Sequence, residues 1–487
     1  MVIRTLENGN LFEIWDLIIG NFTEMIKDEI IERALSILQR KAVDGYEIYL
    51  DESTHFNVES KEGKVDTFEV SHSWGMALRI LNHQRMGFSY STLSHPPQSA
   101  KQGFMSGLER IVEDAISSAE AISPDPYYDF APVLKDPPSH LPIYDEALEG
   151  TSEKSKIEKA KHLEEAARSV DPGRIKKVRK ASYQEALSRK SLINSNGLQF
   201  SYVSTLASIS VMAVAEELGE SETGWDFDVS HFLHALDVEK VGQSAGKKAL
   251  ERLGGKRMPS GVYPVLFRNS VASEFLSLLA HSFLADQVQK GKSSLRGRKG
   301  ERFFSPLLSI VDDGLHPKGI STSPIDGEGM PSQRTFLVVQ GELSGYLYDR
   351  YWAHRESISS SVLPIGSTGN SRRGSIKSPS GIGISNFFIE PGKLSFSDLL
   401  RDLHQGVVVE EVMGLHTADP ISGDFSLGLS GDWIEGGEKV HPVKSIAVAG
   451  NLFQLFKDVI GVGEDFRFFG GVGSPSLFVK GLRISGV

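Results

Sequence analysis

The order of apolar and polar positions divides this chain into two unlike halves. Ile26, Ile30, Ala34 and Leu38 fall four apart, with Lys27, Asp28 and Glu29 on other faces, so residues 25–40 predict an amphipathic helix. YEIYL (46–50), FNVES (56–60), WGMALRIL (74–81) and RMGFSYS (85–91) read as short strands, the last two joined by a turn at Asn82-His83. Phe104, Leu108, Ile111, Val112 and Ala115 form the clearest helical stripe. A proline-rich crossing spans 123–143, and a strongly charged helix over 152–169 stops at Asp171-Pro172-Gly173. Two further strand segments flank Asn196-Gly197, and a helix over roughly 236–253 ends at Gly254-Gly255.

From Gly261 the pattern changes. Glycine and serine increase, and short β-like runs such as GVYPVLF (261–267), GVVVEEVMGL (406–415) and SLFVKGLRI (476–484) alternate with turns. One helix, 271–284, interrupts them. The expected fold class is therefore α+β: an N-terminal extension (1–24), an N-terminal domain of helices on an antiparallel sheet (25–260), and a β-rich C-terminal domain (261–487).

Composition narrows the function classes. A net charge of −11 disfavours direct contact with nucleic-acid backbones. The chain has no cysteine, which excludes disulfides, thiolate chemistry and sulfur ligands to zinc, and fits a reducing, cytoplasmic setting. The apolar N-terminus is broken by Glu13 and Asp16, and no apolar run reaches the ~18 residues of a membrane span.

Candidate chemistry is sparse. On helix 271–284 the residues Val271, Phe275, Leu278 and Leu279 make an apolar stripe, leaving Ser273, Glu274, Ser277 and His281 on the other side. Glu274 and His281 stand about two turns apart, too far along the axis to hold a zinc by themselves. The loop that follows, KGKSSLRGRKGER, carries Lys290, Lys292, Arg296 and Arg298, candidates for contact with an extended peptide or an acidic partner. The basic run 173–190 reads as an exposed strand edge guarded by lysines. DGEGMPSQRT offers Asp326 and Glu328 as caps or partner contacts, and TGNSRR offers Asn370, Arg372 and Arg373 in a turn near a cleft. Neither TGNSRR nor the nearby SPSGIGISN matches a phosphate-binding P-loop, and the chain has no Gly-x-Ser-x-Gly elbow. His316, His354, His416 and His441 are scattered, and their convergence stays open.

The blocks GERFFSPLLSIVDDG (300–314), DGEGMPSQRT (326–335), GYLYDRYWA (345–353), TGNSRR (368–373), residues 414–452 and SPSLFVKGLRISG (474–486) resemble, in order and spacing, the TldD/PmbA family, known as modulators of DNA gyrase. The resemblance runs from about Met25 to the C-terminus. It implies two sister types working as a pair. The TldD-like sister is a zinc metallopeptidase with a His-Glu-x-x-x-His helix and a cysteine ligand. Counted back from KGKSSLRGRKGER, that motif falls on Leu276 to His281: leucine stands at the first histidine, Ser277 at the glutamate, and only His281 remains. The resemblance therefore implies the PmbA-like sister, also called TldE. No catalytic residue, metal ligand or cofactor is expected in this chain, with zinc in a TldD-like partner and an unfolded or extended peptide as substrate. Whether the chain forms a homodimer when the partner is absent stays open, and a stand-alone binding or gyrase-regulating protein is the alternative reading.

Overall fold

Three two-residue turns set the register of the N-terminal sheet. Glu62-Gly63, His83-Gln84 and Leu218-Gly219 have positive φ at both residues, the geometry whose twist matches two paired antiparallel strands. The computed structural model describes residues 28–93, 98–134, 138, 140–359 and 365–486; the extension 1–24 and Ile26 lie outside them. A helix, α1 (28–41), leads into β1 (Gly45–Lys61), β2 (Lys64–Asn82) and β3 (Arg85–Leu93), then α2 (Gln98–Glu120). The turn lies one residue later than Asn82-His83, because Asn82 still pairs with Arg85. The two segments YEIYL and FNVES are one strand: the polar residues between them pair through their backbones with β2 and β4 alike.

The crossing 123–134 has neither helix nor strand, yet it buries Phe130 and Ala131. A short turn of helix, α3 (Glu146–Glu149), precedes α4 (Glu153–Ser169), capped by the Ser152 side chain. Then come β4 (Ile175–Asn194), β5 (Gln199–Glu217), β6 (Glu220–Ser230) and α5 (Val238–Glu251). The six strands run in the order β3-β2-β1-β4-β5-β6. The basic strand β4 is thus central, which corrects the expectation of an edge. Its lysines have one open side only over 175–180, because pairing with β1 begins at Ala181.

Side-chain alternation gives this sheet two different faces. Ile48, Leu50, Phe56 and Val58 of β1 point to the helix layer. There α1 and α2 cover one half (Ile30, Ala34, Leu108, Val112), and α4 and α5 cover the other (Leu163, Ala167, Val241, Ala245). Glu47 and Tyr49 point the opposite way, toward the C-terminal half.

That half begins with β7 (Gly261–Phe267), α6 (Asn269–Ala280) and α7 (Ala285–Gln289). It continues through β8 (Ile310–Asp313), β9 (Arg334–Val339), β10 (Glu342–Leu343), α8 (Arg350–Ser359), β11 (Ser371–Arg372), β12 (Gly381–Ile382) and β13 (Phe387–Ile389). The chain closes with α9 (Phe396–Leu403), β14 (Gln405–Met413), β15 (Asp424–Glu435), β16 (Glu438–Asn451), α10 (Leu452–Lys457), β17 (Val459–Val462), β18 (Arg467–Phe469), β19 (Val472–Ser474) and β20 (Leu477–Ser485). One sheet runs β16-β15-β14-β7-β20-β17, and β16 also pairs with β20, closing a barrel. A second runs β10-β9-β8-β13-β19-β18. Helix α6 lies between them, its buried side chains part of one core that includes Val265, Val407, Phe387 and Val472. The fold is α+β, with helices on an antiparallel sheet followed by a β-rich half. No helix among the described residues is long and apolar enough to cross a membrane.

The helix layer sits close to its sheet. A Cβ built on Gly224 of β6 would meet the Ala245 carbonyl oxygen and the Ala249 nitrogen of α5, each at 2.3 Å. Gly224→Ala must push the strand off the helix, an overpacking change expected to cost about 1–3 kcal/mol. Urea denaturation of the full chain checks this through a lower midpoint at unchanged slope.

Candidate functional site

Two charged strand positions place the joint between the halves. Glu47 and Arg79 sit directly opposite each other on β1 and β2. Arg79 holds the carboxylate with both Nε (2.8 Å) and Nη2 (2.6 Å). On the other side Arg373, beside β11, donates through Nη2 to the same carboxylate and through Nε to the Gly327 carbonyl (2.6 Å). All three side chains are buried. Burial pushes the Glu47 carboxyl up, but the Arg79 and Arg373 charges and hydrogen bonds outweigh it and hold the group below the usual carboxylate range. Arg373 is held below its ordinary value by burial, against the pull of Glu47.

Beneath this joint lies a turn built on Asp326. Its Oδ1 accepts the N–H groups of Glu328 (3.0 Å) and Met330 (2.9 Å), and its Oδ2 that of Ser371 (3.0 Å). Glu328 Oε1 accepts the backbone N–H of Arg350 at 2.7 Å, and the Arg350 side chain pairs with Asp129 of the proline-rich crossing. Burial, then the nearby Asp326 and Asp349 charges, raise the Glu328 carboxyl well above its usual range. Asp349, buried beside them, is pushed up to about 6 by burial first. Asn370 is 1% exposed and donates to Asp312 Oδ1 at 2.7 Å.

Of the residues singled out in the sequence, Asp326, Glu328, Asn370 and Arg373 therefore converge, but inside the protein. Asp326 acts as a cap on its own turn. Arg372 lines the neighbouring cleft and donates through Nε to the Ile384 carbonyl (2.9 Å). The basic loop is a separate feature. Leu295 and Ser293 anchor it from within, the latter through a hydrogen bond to the Ser282 carbonyl, while Lys292 and Arg296 stay exposed. Lys290 is exposed but pairs with Asp286 and lies over the Trp352 ring, and Arg298 pairs with Glu301. Sequence reasoning missed Glu47, Arg79 and Asp129. The signal for the first two was there: a charge set into each of two apolar strands, on the face that alternation assigns away from the helices.

Helix α6 ends at Ala280, and His281 opens a single 3₁₀ turn, earlier than the expected end at 284. The apolar face also differs from expectation. Leu276 is fully buried and Leu278 only partly, because α6 packs between two sheets and needs a wider stripe. Ser273 is buried as well, donating to the Ser270 carbonyl. Ser277 is exposed and donates to the Glu274 carbonyl at 2.7 Å. His316 packs on Phe388 and Phe468, His354 bonds the Tyr127 carbonyl, and His441 the Pro442 carbonyl. Among the described residues no three His, Asp or Glu side chains are grouped to hold a metal.

Two outcomes test this geometry. Glu47→Ala strands two buried guanidinium groups, and is expected to cost roughly 3–5 kcal/mol, read as a lower denaturation midpoint. Glu274 on α6 is pushed up to about 7 by burial and then by Glu411. Between the ordinary 4.5 and about 7 the folded chain keeps this proton and the unfolded chain does not, so stability falls as pH rises through that window. Glu274→Gln is expected to raise the melting temperature at pH 8 and leave it unchanged at pH 4, in melts run across pH.

Comparison with known proteins agrees with this architecture. The PmbA/TldA metallopeptidase models match in chain order: domain 1 over residues 46–119, the central domain over 146–253 and the C-terminal domain over 260–486. Metalloprotease PmbA of Escherichia coli O157:H7 is 27% identical over 95% of this chain and 96% of its own length. An uncharacterized protein of Methanocaldococcus jannaschii is 30% identical over 93% of this chain and 99% of its own. The crystal structure of a candidate modulator of a DNA gyrase from Thermotoga maritima superposes with a TM-score of 0.83 at 28% identity, covering 94% of this chain and all of that one. With three family models in succession and a relative aligned over nearly its full length, the chain belongs to the PmbA/TldD metallopeptidase family.

Proposed function

We propose that this chain is the zinc-free member of a two-component metallopeptidase acting on unfolded or extended peptides, with zinc and the catalytic glutamate supplied by a TldD-like partner. The observation that carries this reading is the state of α6. At the first ligand position Leu276 is fully buried in the core, and at the position of the base Ser277 turns its hydroxyl back onto its own helix. Zinc needs nitrogen, sulfur or carboxylate donors, and a metal-bound water needs a base to take its proton. Leucine and serine supply neither, and a chain without cysteine has no thiolate to add. The residues present do not fit the metal that the family description implies.

What the chain brings instead is surface. The loop 290–302 presents Lys292, Arg296 and Lys299 outward from a buried anchor, suited to an acidic partner face or a peptide backbone. A soluble, cytoplasmic heterodimer is part of the same reading.

The chain purified alone is expected to retain less than stoichiometric zinc after dialysis and to leave casein intact. Mixed with a TldD-like subunit, it is expected to form a stable complex whose peptidase activity falls at least tenfold when this chain is omitted. Elemental analysis, gel filtration and a peptide-release assay read these outcomes. Stoichiometric zinc in the isolated chain, or undiminished activity without it, overturns the proposal. The latter result favours a stand-alone regulatory protein.

A further inference from the structure

A cleft of about 280 Å³ lies between the face of the N-terminal sheet and the C-terminal turn segments. Its sheet wall is apolar and aromatic, with Tyr49, Leu192, Phe200 and Tyr202, and Lys190 beside them; its opposite wall carries Ser371, Arg372 and Arg373. These last three are consecutive, and each has a buried polar atom without a hydrogen-bond partner: Ser371 Oγ, Arg372 Nη2 and Arg373 Nη1. Arg372 Nε donates to the Ile384 carbonyl, and Arg373 Nε and Nη2 donate to the Gly327 carbonyl and to Glu47. A hydrogen bond left unmade in the interior carries the full cost of desolvating the group, most of all for a charged one. Native proteins leave few such groups without a reason.

The carboxylates at hand do not fill this deficit. Asp326, in the cleft wall, has three backbone N–H groups on its two oxygens. Glu47 is shared between Arg79 and Arg373. Asp312 accepts from Asn370 and from the backbone and hydroxyl of Ser385. Burial holds the Arg373 guanidinium below its ordinary value, with Glu47 pulling the other way and Arg79 adding to the lowering.

We propose that this cleft binds a carboxylate bearing an apolar or aromatic group, the carboxylate held by Ser371, Arg372 and Arg373 and the apolar part against Tyr49, Phe200 and Tyr202. A planar guanidinium fork matches a planar carboxylate in two hydrogen bonds. The volume is at the lower end of ligand sites, so it admits a single residue-sized group rather than a long ligand. The C-terminus of a peptide and a free small acid share this chemistry. Only the peptide source rests on the peptidase reading; the binding does not.

Calorimetry on the full chain, without any partner, tests it with N-acetylphenylalanine, its amide, the tripeptide acid acetyl-Ala-Ala-Phe, and inorganic phosphate. The acid is expected to bind and the amide to bind at least tenfold more weakly. Arg372→Gln is expected to weaken the acid at least tenfold. Lys190→Gln, on the sheet and apart from the Glu47 network, is expected to weaken it severalfold with an unchanged melting temperature, which keeps the test open if Arg372→Gln does not fold. Tripeptide binding as tight as the small acid supports a peptide terminus; binding of the small acid alone supports the carboxylate site and removes the peptide source. Equal binding of acid and amide, no binding of either acid at millimolar concentration, phosphate binding as tight as the acid, or folded variants with unchanged affinity each overturn the proposal. Because no turnover is measured, these outcomes are independent of whether the chain partners a zinc subunit.

Discussion

A buried carboxylate, that of Glu47, ties the face of the N-terminal sheet to the C-terminal half. It lies on the face of the N-terminal sheet away from the helices and is gripped by Arg79 from the neighbouring strand and Arg373 from the C-terminal half. Burying three charges is expensive, and their mutual attraction offsets that only when the geometry is good. Here the Arg79 contact is bidentate and Arg373 is further fixed by the Gly327 carbonyl. The surrounding contact is apolar, with Tyr49, Ala77 and Leu192 against Ile325 and Met330. Apolar contact alone tolerates sliding, whereas a shared carboxylate admits one alignment. The joint thus fixes the walls of the neighbouring cleft relative to each other.

The fold was largely legible from periodicity. The helices over 25–40 and 104–115 show in their apolar stripes, those over 152–169 and 236–253 in the breakers that end them, and each is present where residues are described. Strand lengths were not legible. Residues 51–55 of β1 are polar, and nothing in their pattern says that backbone pairing carries the strand across them. The central place of β4 was equally hidden, since lysines that look like edge guards sit on an overhang of an interior strand. Order among strands depends on long-range pairing, which local pattern does not encode.

The site was legible in part. Asp326, Glu328, Asn370, Arg372 and Arg373 stood out as charged or polar residues in glycine-rich turns, and they do share one region. The burial of Arg373 was not readable, because it is imposed by a strand face some three hundred residues earlier in the chain, through Glu47. Glycine-rich turns with charges resemble exposed loops in composition. Here the glycines allow close approach: a Cβ on Gly327 would lie 3.1 Å from the Ser371 carbonyl.

Helix α6 shows how the choice of side chain and packing are linked. A leucine fully removed from water contributes about 1.5–3 kcal/mol relative to an exposed one, and Leu276 sits in the same core as Phe275, Leu279 and Phe387. An imidazole at that position would leave nitrogens in an apolar setting, a penalty that only a metal or hydrogen-bond partner removes. Leu276 therefore favours a closed core over an open ligand cage. The polar side of the same helix kept water-facing groups, with Ser277 exposed and Glu274 carrying a carboxyl made weakly acidic by its surroundings. A helix packed between two sheets cannot be dispensed with, because both sheets bury side chains on it. Its place in the fold follows from packing alone, and a reading of function has to come from the donors it presents.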